Sequence, residues 1–194
     1  MSRTDSNVLI DHVSGERSDR KDLLWIVGFS LLTALLAQVE IRLPYTPVPL
    51  TGQTFAVLLS GAVLGSRRAF LSQLLYLAEG AAGMPVFSGG GATIVKLLGP
   101  TGGYLWSFPL AAGLLGWLVE RGVSRKTWKL AASLVIADVL ILASGASWLR
   151  FFYGTPLRQA WLLGFYPFLI GDMLKIVLVG ASLPRVLKRF ERAG

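Results

Sequence analysis

Two charged residues, Asp172 and Lys175, interrupt the apolar run FYPFLIGDMLKIVLVGASLP, which covers residues 165–184. Residues three apart lie on the same face of a helix. A charge in the middle of a bilayer costs at least a few kcal/mol, so an ionisable residue in such a run normally faces a partner or a wet cavity. The spacing leaves two interpretations open. Either the two residues form a neutralising ion pair that locks helix packing, or they mark a polar pocket that receives a ligand.

Two further acidic residues, Glu79 and Asp138, also lie within apolar runs. We expect Glu79 to pair with Lys96, or to be a protonated structural acid, rather than to contact a ligand. Asp138 has no obvious partner in the sequence, and we assign it a structural role. An alternative hypothesis is an intramembrane enzyme, which would require Glu79, Asp138 and Asp172 to converge.

The residue types exclude several classes of site. The chain has no cysteine, which excludes disulfides and thiolate chemistry. Its one histidine, His12, lies in a polar N-terminal segment, which argues against a histidine-based catalytic or metal site in the rest of the chain. No G-x-x-x-x-G-K-[ST], G-x-S-x-G or H-E-x-x-H motif is present. We therefore expect no metal and no cofactor, and a partner must supply the energy for any active transport.

The elements that must position these residues are apolar helices. Hydrophobic residues make up 53% of the 194 residues and charged residues 15%, against about a quarter charged in soluble domains. Because about 20 helical residues cross a bilayer, we predict an all-α integral membrane protein with six transmembrane helices. The predicted spans cover about residues 23–41, 51–66, 69–84, 102–119, 128–149 and 165–187.

Three segments outside the predicted spans are polar, proline-rich or glycine-rich. Residues 1–22 are predicted to be a polar cytoplasmic segment without apolar periodicity, and residues 23–190 the membrane domain. The segment RLPYTPVPL cannot be helical because its three prolines remove donors and extend their neighbours. The segment VFSGGGATIVKLLGPTGG is predicted to be a loop or re-entrant segment, since its glycines are too permissive for a regular helix.

The distribution of Lys and Arg sets the orientation. If the N-terminus is cytoplasmic, fourteen of the 19 basic residues fall in inner segments and four in outer ones, while Lys175 lies within the last span. The positive-inside rule then places both termini in the cytoplasm. The net charge of +8 is accounted for by this topology and by attraction to anionic lipid, so we predict no nucleic-acid partner.

This topology brings three distant segments to the outer face. Asp172 lies in the outer half of the sixth span, and the proline-rich loop before Thr51 and Gln53 is also external. The third segment, residues 89–103, leads into the fourth span, where Thr101 is a candidate N-cap. A helix N-terminus presents free N–H groups and a positive dipole end, so a small anionic or hydrogen-bonding molecule can dock there.

Small residues recur in the first span. Ser30 and Ala34 are four residues apart, as are Thr33 and Ala37. Small residues at this spacing let another helix approach closely. That helix can belong to this chain or to a second protein, and the spacing does not distinguish the two.

Three segments resemble the BioY family, the biotin-binding S components of energy-coupling factor (ECF) transporters. They are TPVPLTGQTFAVLLSGAVLGSRRAFLSQLLYLAEGAAGMPVFSGGG, LGPTGGYLWSFPLAAGLLGWLVERG and FLIGDMLK, within a resemblance that covers residues 23 to about 190. The resemblance implies a six-helix S-component fold, a biotin site near the outer face and no enzymatic activity. It also implies a transmembrane T component and two cytoplasmic ATPases as partners in the cytoplasmic (inner) membrane of a prokaryote, with self-association as a further option.

The resemblance also assigns residues. In the family, the Asp and Lys that match Asp172 and Lys175 belong to the biotin site, and the first-helix small residues, similar to Ser30, Ala34 and Ala37 here, face the T component. Many members carry Gly-Gly-x-Gly-Gly, sometimes with Arg in the middle. This chain has Gly91 at that place, and Lys96 is the candidate to replace the arginine.

The chemistry of biotin fits these residue types. An ionised Asp accepts the two ureido N–H groups, a Lys donates to the carboxylate, and aromatic residues cover the apolar ring. The candidate biotin-binding residues are Asp172, Lys175, Gln53, Thr51, Gly90, Gly91, Lys96, Tyr45, Phe87 and Tyr104, with Tyr166 as a further aromatic candidate. Two other hypotheses stay open: an S component for a different vitamin, and a helix-packing partner with no ligand.

Overall fold

Most of the chain is helical. The computed structural model describes residues 8–14 and 18–193, with the side chains of residues 8–11, 18–124 and 126–185. Within these residues the chain forms nine α-helices and one short antiparallel β-hairpin. The helices are α1 (Leu9–Ser14), α2 (Asp19–Ala37), α3 (Gln53–Leu64), α4 (Ser66–Ala81), α5 (Thr93–Leu98), α6 (Gly102–Glu120), α7 (Thr127–Tyr153), α8 (Leu157–Gly164) and α9 (Leu169–Ala193). The hairpin pairs β1 (Glu40–Ile41) with β2 (Leu50–Thr51).

Six of the helices, α2, α3, α4, α6, α7 and α9, coincide with the six predicted spans. Two others were not predicted. Helix α8 occupies the connection between the fifth and sixth spans. Helix α5 lies inside the glycine-rich segment, where we expected no regular helix. That expectation was wrong because the glycines cluster before Thr93 and after Leu98, which leaves TIVKLL free to form one helical turn and a half.

The N-terminal segment also differs from the prediction. Residues 9–14 form α1, within the segment that we predicted to be polar and without apolar periodicity. The side chains of Val8 and Ile10 are buried. Arg68 of α4 donates to Asp11 of α1 and to Asp22 of α2, each at 2.8 Å. These apolar and charged contacts dock α1 onto the bundle. A helix of six residues is too short to show an apolar periodicity in the sequence, so the sequence did not predict it.

Helix α6 is the centre of the bundle and packs against α3, α4 and α7. Two of its glycines allow close approach. A Cβ on Gly103 would lie 2.2 Å from Cβ of Trp148 in α7, and a Cβ on Gly116 would lie 2.4 Å from the backbone of Gly65. Helices with small residues at the crossing point can bring their backbones together, which is common in membrane bundles.

The outward surface is strongly apolar. Three described segments are long and apolar enough to cross a membrane: Gly102–Glu120, Thr127–Tyr153 and Leu157–Arg185. On α9, Ile170 is 87% exposed, and Met173, Leu174 and Val177 are also exposed. A contiguous exposed apolar face of this kind indicates contact with lipid or with another apolar surface.

A neutral polar cluster, formed by Thr33, Ser60, Ser72 and Gln73, lies fully buried between α2, α3 and α4. Gln73 Nε2 donates to Thr33 Oγ1 and to Ser60 Oγ, both at 3.2 Å. The three hydroxyls each donate onward to a backbone carbonyl of their own helix. Every member therefore has partners, as a buried polar group requires.

The small residues of α2 pack within the chain. Ser30 and Ala37 are fully buried, and Ser30 Oγ donates to Glu79 Oε2 of α4 at 2.6 Å. One expectation is corrected: the Glu79 carboxylate takes Ser30 rather than Lys96 as its partner. Ser30 and Ala37 are buried within this chain, and their contact with a partner subunit stays a prediction. Ala34 alone of the three predicted interface residues is half-buried and still accessible.

Candidate ligand-binding site

A pocket opens at the end of the bundle where the hairpin lies. Its cavity volume is about 40 Å³, and it is open to solvent at its mouth. Its apolar lining is Val48, Pro49, Phe87, Tyr104, Leu105, Phe108, Leu142 and Phe168. Its polar lining is Thr51, Gln53, Thr54, Ser88, Lys96, Thr101, Asp172 and Lys175. Four aromatic rings and a set of convergent polar groups are the kinds of lining that ligand sites use.

Two threonines of the β2–α3 junction join Asp172 and Lys175 in what we call the charged cluster: Thr51, Thr54, Asp172 and Lys175. Lys175 Nζ donates to Asp172 Oδ1 at 2.7 Å, to Thr54 Oγ1 at 2.6 Å and to the Thr51 carbonyl at 2.8 Å. An ammonium has three N–H donors, so all three are used. Thr54 Oγ1 in turn donates to Asp172 Oδ1 at 2.9 Å.

Only one of the two carboxylate oxygens of Asp172 is hydrogen-bonded within the charged cluster. Asp172 is 2% exposed, and its Oδ1 accepts two hydrogen bonds. Its Oδ2 accepts none from the side chains and backbone that the structure describes, while the residue lines the pocket. The ion-pair and pocket interpretations of these residues therefore hold together, because the pair neutralises the buried charge and leaves one carboxylate oxygen for a donor in the pocket.

The β2–α3 junction brings the polar side chains of Thr51 and Gln53 to the pocket, from a part of the sequence far from α9. Thr51 ends β2, and α3 begins at Gln53, so the turn between them carries both side chains to the pocket. Gly52 is required there, since a Cβ would lie 2.8 Å from the Leu36 carbonyl of α2. Thr51 Oγ1 donates to Gln53 Oε1 at 2.9 Å, and Gln53 Nε2 donates to the hydroxyl of Tyr76. The Gln53 amide is thus oriented before any ligand arrives.

The loop between α4 and α5 forms another wall of the pocket. Phe87 is fully buried, and its ring meets Tyr76 edge to face, with centroids 5.4 Å apart. The same ring packs on Gly80 of α4, where a Cβ would overlap it. Ser88 follows and is 7% exposed. The loop is therefore seated on α4 through an aromatic anchor.

Lys96 brings a second cation to the pocket. It lies in the last turn of α5, is half-buried, and has no ion-pair partner among the described residues. Gly91 makes room for it, since a Cβ there would lie 3.2 Å from Lys96 Cε. All three N–H donors of Lys175 are bonded within the protein. Lys96 is therefore the cation of the pocket lining that is available to an anionic group.

Most of the predicted site residues meet at this pocket: Thr51, Gln53, Phe87, Lys96, Tyr104, Asp172 and Lys175. The predicted glycines Gly90 and Gly91 shape the loop without lining the cavity.

Two predicted aromatic residues lie elsewhere. Tyr45 is 59% exposed because the proline-rich loop turns it outward while its neighbours Val48 and Pro49 line the pocket. Tyr166 is 55% exposed, and Phe168, two residues later in the same 3₁₀ turn, lines the pocket instead. Neither residue lines the pocket, and their contact with a ligand stays a prediction.

Sequence reasoning missed several lining residues. Thr54 lies three residues after Thr51, the same spacing that singled out Asp172 and Lys175, and this signal could have found it. Phe108 and Phe168 sit in apolar stretches where nothing distinguishes a ring that lines a pocket from one that faces lipid. Thr101 makes no side-chain capping bond to α6, contrary to our expectation, and lines the pocket instead.

The three carboxylates of the enzyme hypothesis do not converge on one centre. Asp138 of α7 is 3% exposed, its Oδ1 has no partner within the described residues, and it interacts electrostatically with Asp172 and Lys175. Glu79 is held by Ser30 on α2. Neither Glu79 nor Asp138 lines the pocket.

The comparisons with known proteins agree with one another. The model of the BioY family matches residues 10–192. The "Probable biotin transporter BioY" of Pyrococcus horikoshii is 40% identical over 155 residues, which are 80% of this chain and 89% of that protein. The "Biotin transporter BioY" of Thermotoga maritima is 38% identical over 169 residues, which are 86% of this chain and 96% of that protein.

A solved structure shares the fold. The 2.1 Å crystal structure of the S-component for biotin from an ECF-type ABC transporter superposes with a TM-score of 0.82 at 23% identity, covering 89% of this chain and 95% of that one. The sequence match extends over nearly the whole chain, and the family predicted from the quoted segments is confirmed. The chain is a member of the BioY family.

Proposed function

We propose that this protein binds biotin in the pocket and carries it across the cytoplasmic membrane of a prokaryote as the substrate-specific component of an ECF transporter. The relatives are named as biotin transporters, and the structural neighbour is an S-component for biotin. The family consists of transporter components rather than enzymes, and we propose no catalytic role for Glu79, Asp138 or Asp172.

The open oxygen of Asp172 is the observation that carries this proposal. The ureido ring of biotin offers two N–H donors, and Asp172 Oδ2 is a charged acceptor in a pocket whose other walls are largely apolar. The fused ring of biotin is apolar and suits the walls formed by Phe87, Phe108 and Phe168. The carboxylate of biotin suits Lys96, which has no other ion-pair partner in the described part of the chain.

Partners must supply the energy for transport. The chain carries no phosphate-binding loop motif, and the resemblance to ECF S components implies a transmembrane T component and two cytoplasmic ATPases. We propose the same partnership here, together with six membrane spans and both termini in the cytoplasm. The excess of basic residues in the proposed inner segments supports this orientation.

Reporter fusions test the topology. Fusions at residues near 45, 95 and 155 should read as external, because all three positions lie between spans on the proposed outer side. A cytoplasmic reading at any of the three positions would contradict the six-span arrangement.

Ligand binding tests the function. The detergent-purified protein should show a raised unfolding temperature with biotin, because a ligand that binds only the folded state stabilises it. Riboflavin and thiamine, at the same concentrations, should leave the unfolding temperature unchanged. Stabilisation by another vitamin and not by biotin would favour the alternative, an S component of different specificity. No stabilisation by any of them would contradict a ligand-binding role.

Substitution of Ala34 tests the coupling. Ala34→Trp places a bulky ring on the accessible part of the α2 small-residue face, and it should abolish co-purification with the T component while leaving biotin binding intact. Ala143→Trp, at another half-buried alanine that packs against the core, is the matched control and should retain the complex. Survival of the complex in Ala34→Trp would place the docking face elsewhere.

A further inference from the structure

The loop of residues 85–92, which connects α4 to α5, has an unusual backbone. Gly89 and Gly90 adopt φ of +66° and +69°, and Thr93 at the start of α5 adopts φ of +72°. A positive φ is a genuine outlier for a β-branched residue such as Thr93. Such conformations persist only where surrounding contacts hold them, and they cluster at ligand clamps and switch regions.

Gln38 contacts this loop from outside the pocket, ahead of the strained Thr93. It follows the last residue of α2, is exposed, and does not line the cavity. Its Oε1 accepts the N–H of Gly90 at 3.2 Å, and its Nε2 donates to the carbonyl of Phe87 at 3.2 Å. The same Nε2 donates to the carbonyl of Ala34 at 3.1 Å, which ties the side chain back to its own helix.

The two shorter bonds to the loop bracket Ser88, a residue that lines the pocket, and a third, longer one joins Nε2 to the Val86 carbonyl at 3.5 Å. One bond holds the chain at Phe87, immediately before Ser88, and the other holds it at Gly90, two residues after. The primary amide is suited to this arrangement because it carries a donor and an acceptor at once. A glutamate keeps the acceptor and loses the donor, and a leucine of similar size has neither.

We propose that Gln38 is a positioning residue for the ligand: by clamping the loop at Phe87 and Gly90, it holds the wall formed by Phe87 and Ser88 closed on the bound molecule and sets how fast that molecule leaves. This rests on the proposed function, since it requires biotin to occupy the pocket. Gln38 itself touches no ligand.

Ligand release is the direct measurement. The full chain in lipid nanodiscs is loaded with tritium-labelled biotin and chased with excess unlabelled biotin. Gln38→Leu should raise the dissociation rate about tenfold, the effect of removing two hydrogen bonds of ordinary strength. Gln38→Glu should give an intermediate increase of about threefold. Gln159→Leu, at an exposed glutamine of α8 that does not line the pocket, should release biotin at the wild-type rate.

A purely structural role predicts a different result. It would lower the unfolding temperature of the ligand-free protein in Gln38→Leu without changing the dissociation rate, and that outcome overturns the proposal. A dissociation rate equal to that of Gln159→Leu overturns it as well.

A second readout does not depend on ligand affinity. The chain has no cysteine, so Ser88→Cys introduces a single thiol at a position that is 7% exposed. Its labelling by a maleimide fluorophore should be slow, and about tenfold faster when Gln38→Leu is added, because the loop opens more often. Equal labelling rates in the two backgrounds would refute the clamp even if biotin binds. If wild-type protein binds no biotin, the proposed function fails, and the labelling comparison still reports on the clamp separately.

Discussion

The two buried polar clusters of this bundle differ in one respect that separates packing from binding. The neutral cluster of Thr33, Ser60, Ser72 and Gln73 is sealed, and each of its side chains has partners within the protein. The charged cluster of Thr51, Thr54, Asp172 and Lys175 is nearly as buried at Asp172, yet it borders a cavity and leaves Asp172 Oδ2 without a partner in the described chain.

The difference shows which buried polar groups to examine for function. A satisfied polar group fixes how helices pack, and its replacement affects the folded state as a whole. An unsatisfied charged group that borders a cavity can be completed by a ligand, whereas Asp138, whose Oδ1 also has no partner within the described residues, does not line the pocket. Burial alone does not distinguish the two clusters, whereas the count of partners does.

The largest expected effect follows from removing the open acceptor. Asp172→Asn keeps the shape but loses the charge, and its amide can present a donor to the ureido N–H groups. Because a charge-assisted hydrogen bond is worth about 1.5–3 kcal/mol, biotin affinity should fall on the order of tenfold to a hundredfold. Isothermal titration measures this, with unfolding of the ligand-free variant as the control for lost stability. Wild-type affinity in Asp172→Asn would make the acid structural, like the members of the neutral cluster.

The next effect concerns the free cation. Lys96→Met should weaken biotin binding by about tenfold and leave biotin methyl ester almost unchanged, because the ester lacks the anion that Lys96 would pair with. The measurement is the ratio of the two affinities in wild type and variant. A ratio that stays constant would mean that another group holds the carboxylate.

The opposite behaviour is expected at the neutral cluster. Gln73→Leu removes the central amide, but Thr33 and Ser60 keep their bonds to backbone carbonyls, so the cost should be about 1 kcal/mol of stability. The unfolding midpoint should fall by a few degrees, and biotin affinity should stay within about twofold of wild type. A large loss of affinity at constant stability would abolish the distinction between the two clusters.

Within the charged cluster, the smallest effect on affinity is expected at Thr54, which bridges the pair. Thr54→Val removes one hydroxyl, yet Lys175 and Asp172 remain in direct contact at 2.7 Å. Affinity should therefore fall by about threefold, as measured beside Asp172→Asn by the same titration. A loss as great as that of Asp172→Asn would identify the hydroxyl itself as a ligand contact.

The sequence indicated the charged cluster more directly than the packing of the small residues, for a physical reason. A charge in an apolar run carries a cost that few environments can offset, so the positions of Asp172 and Lys175 in the sequence indicate either an ion pair or a pocket. Small residues such as Ser30 and Ala37 carry no comparable cost. Their spacing indicates that some helix approaches closely, but it does not say which helix, and Ser30 here meets α4.

The helices show the same contrast. Long apolar runs predicted α6 and α7 to within a few residues, because a run of that length has few alternatives. The short helices α5 and α8 depend on tertiary contacts that local composition does not reveal. The orientation of single aromatic residues was equally out of reach: Tyr45 and Phe168 are similar in type, and only the path of the backbone decides which one faces the pocket.

The packing of the Phe87 ring on Gly80 limits which pairs of side chains can occupy positions 80 and 87. The two positions share one volume, since a Cβ at position 80 would lie 2.0 Å from Cζ of the ring. A lineage that acquires a side chain at position 80 must give up the aromatic ring at position 87. That exchange reshapes the cavity from behind and leaves Asp172, Lys175 and Lys96 in place. Evolution or a protein engineer can thus change the size of the accepted molecule independently of the groups that recognise its polar ends.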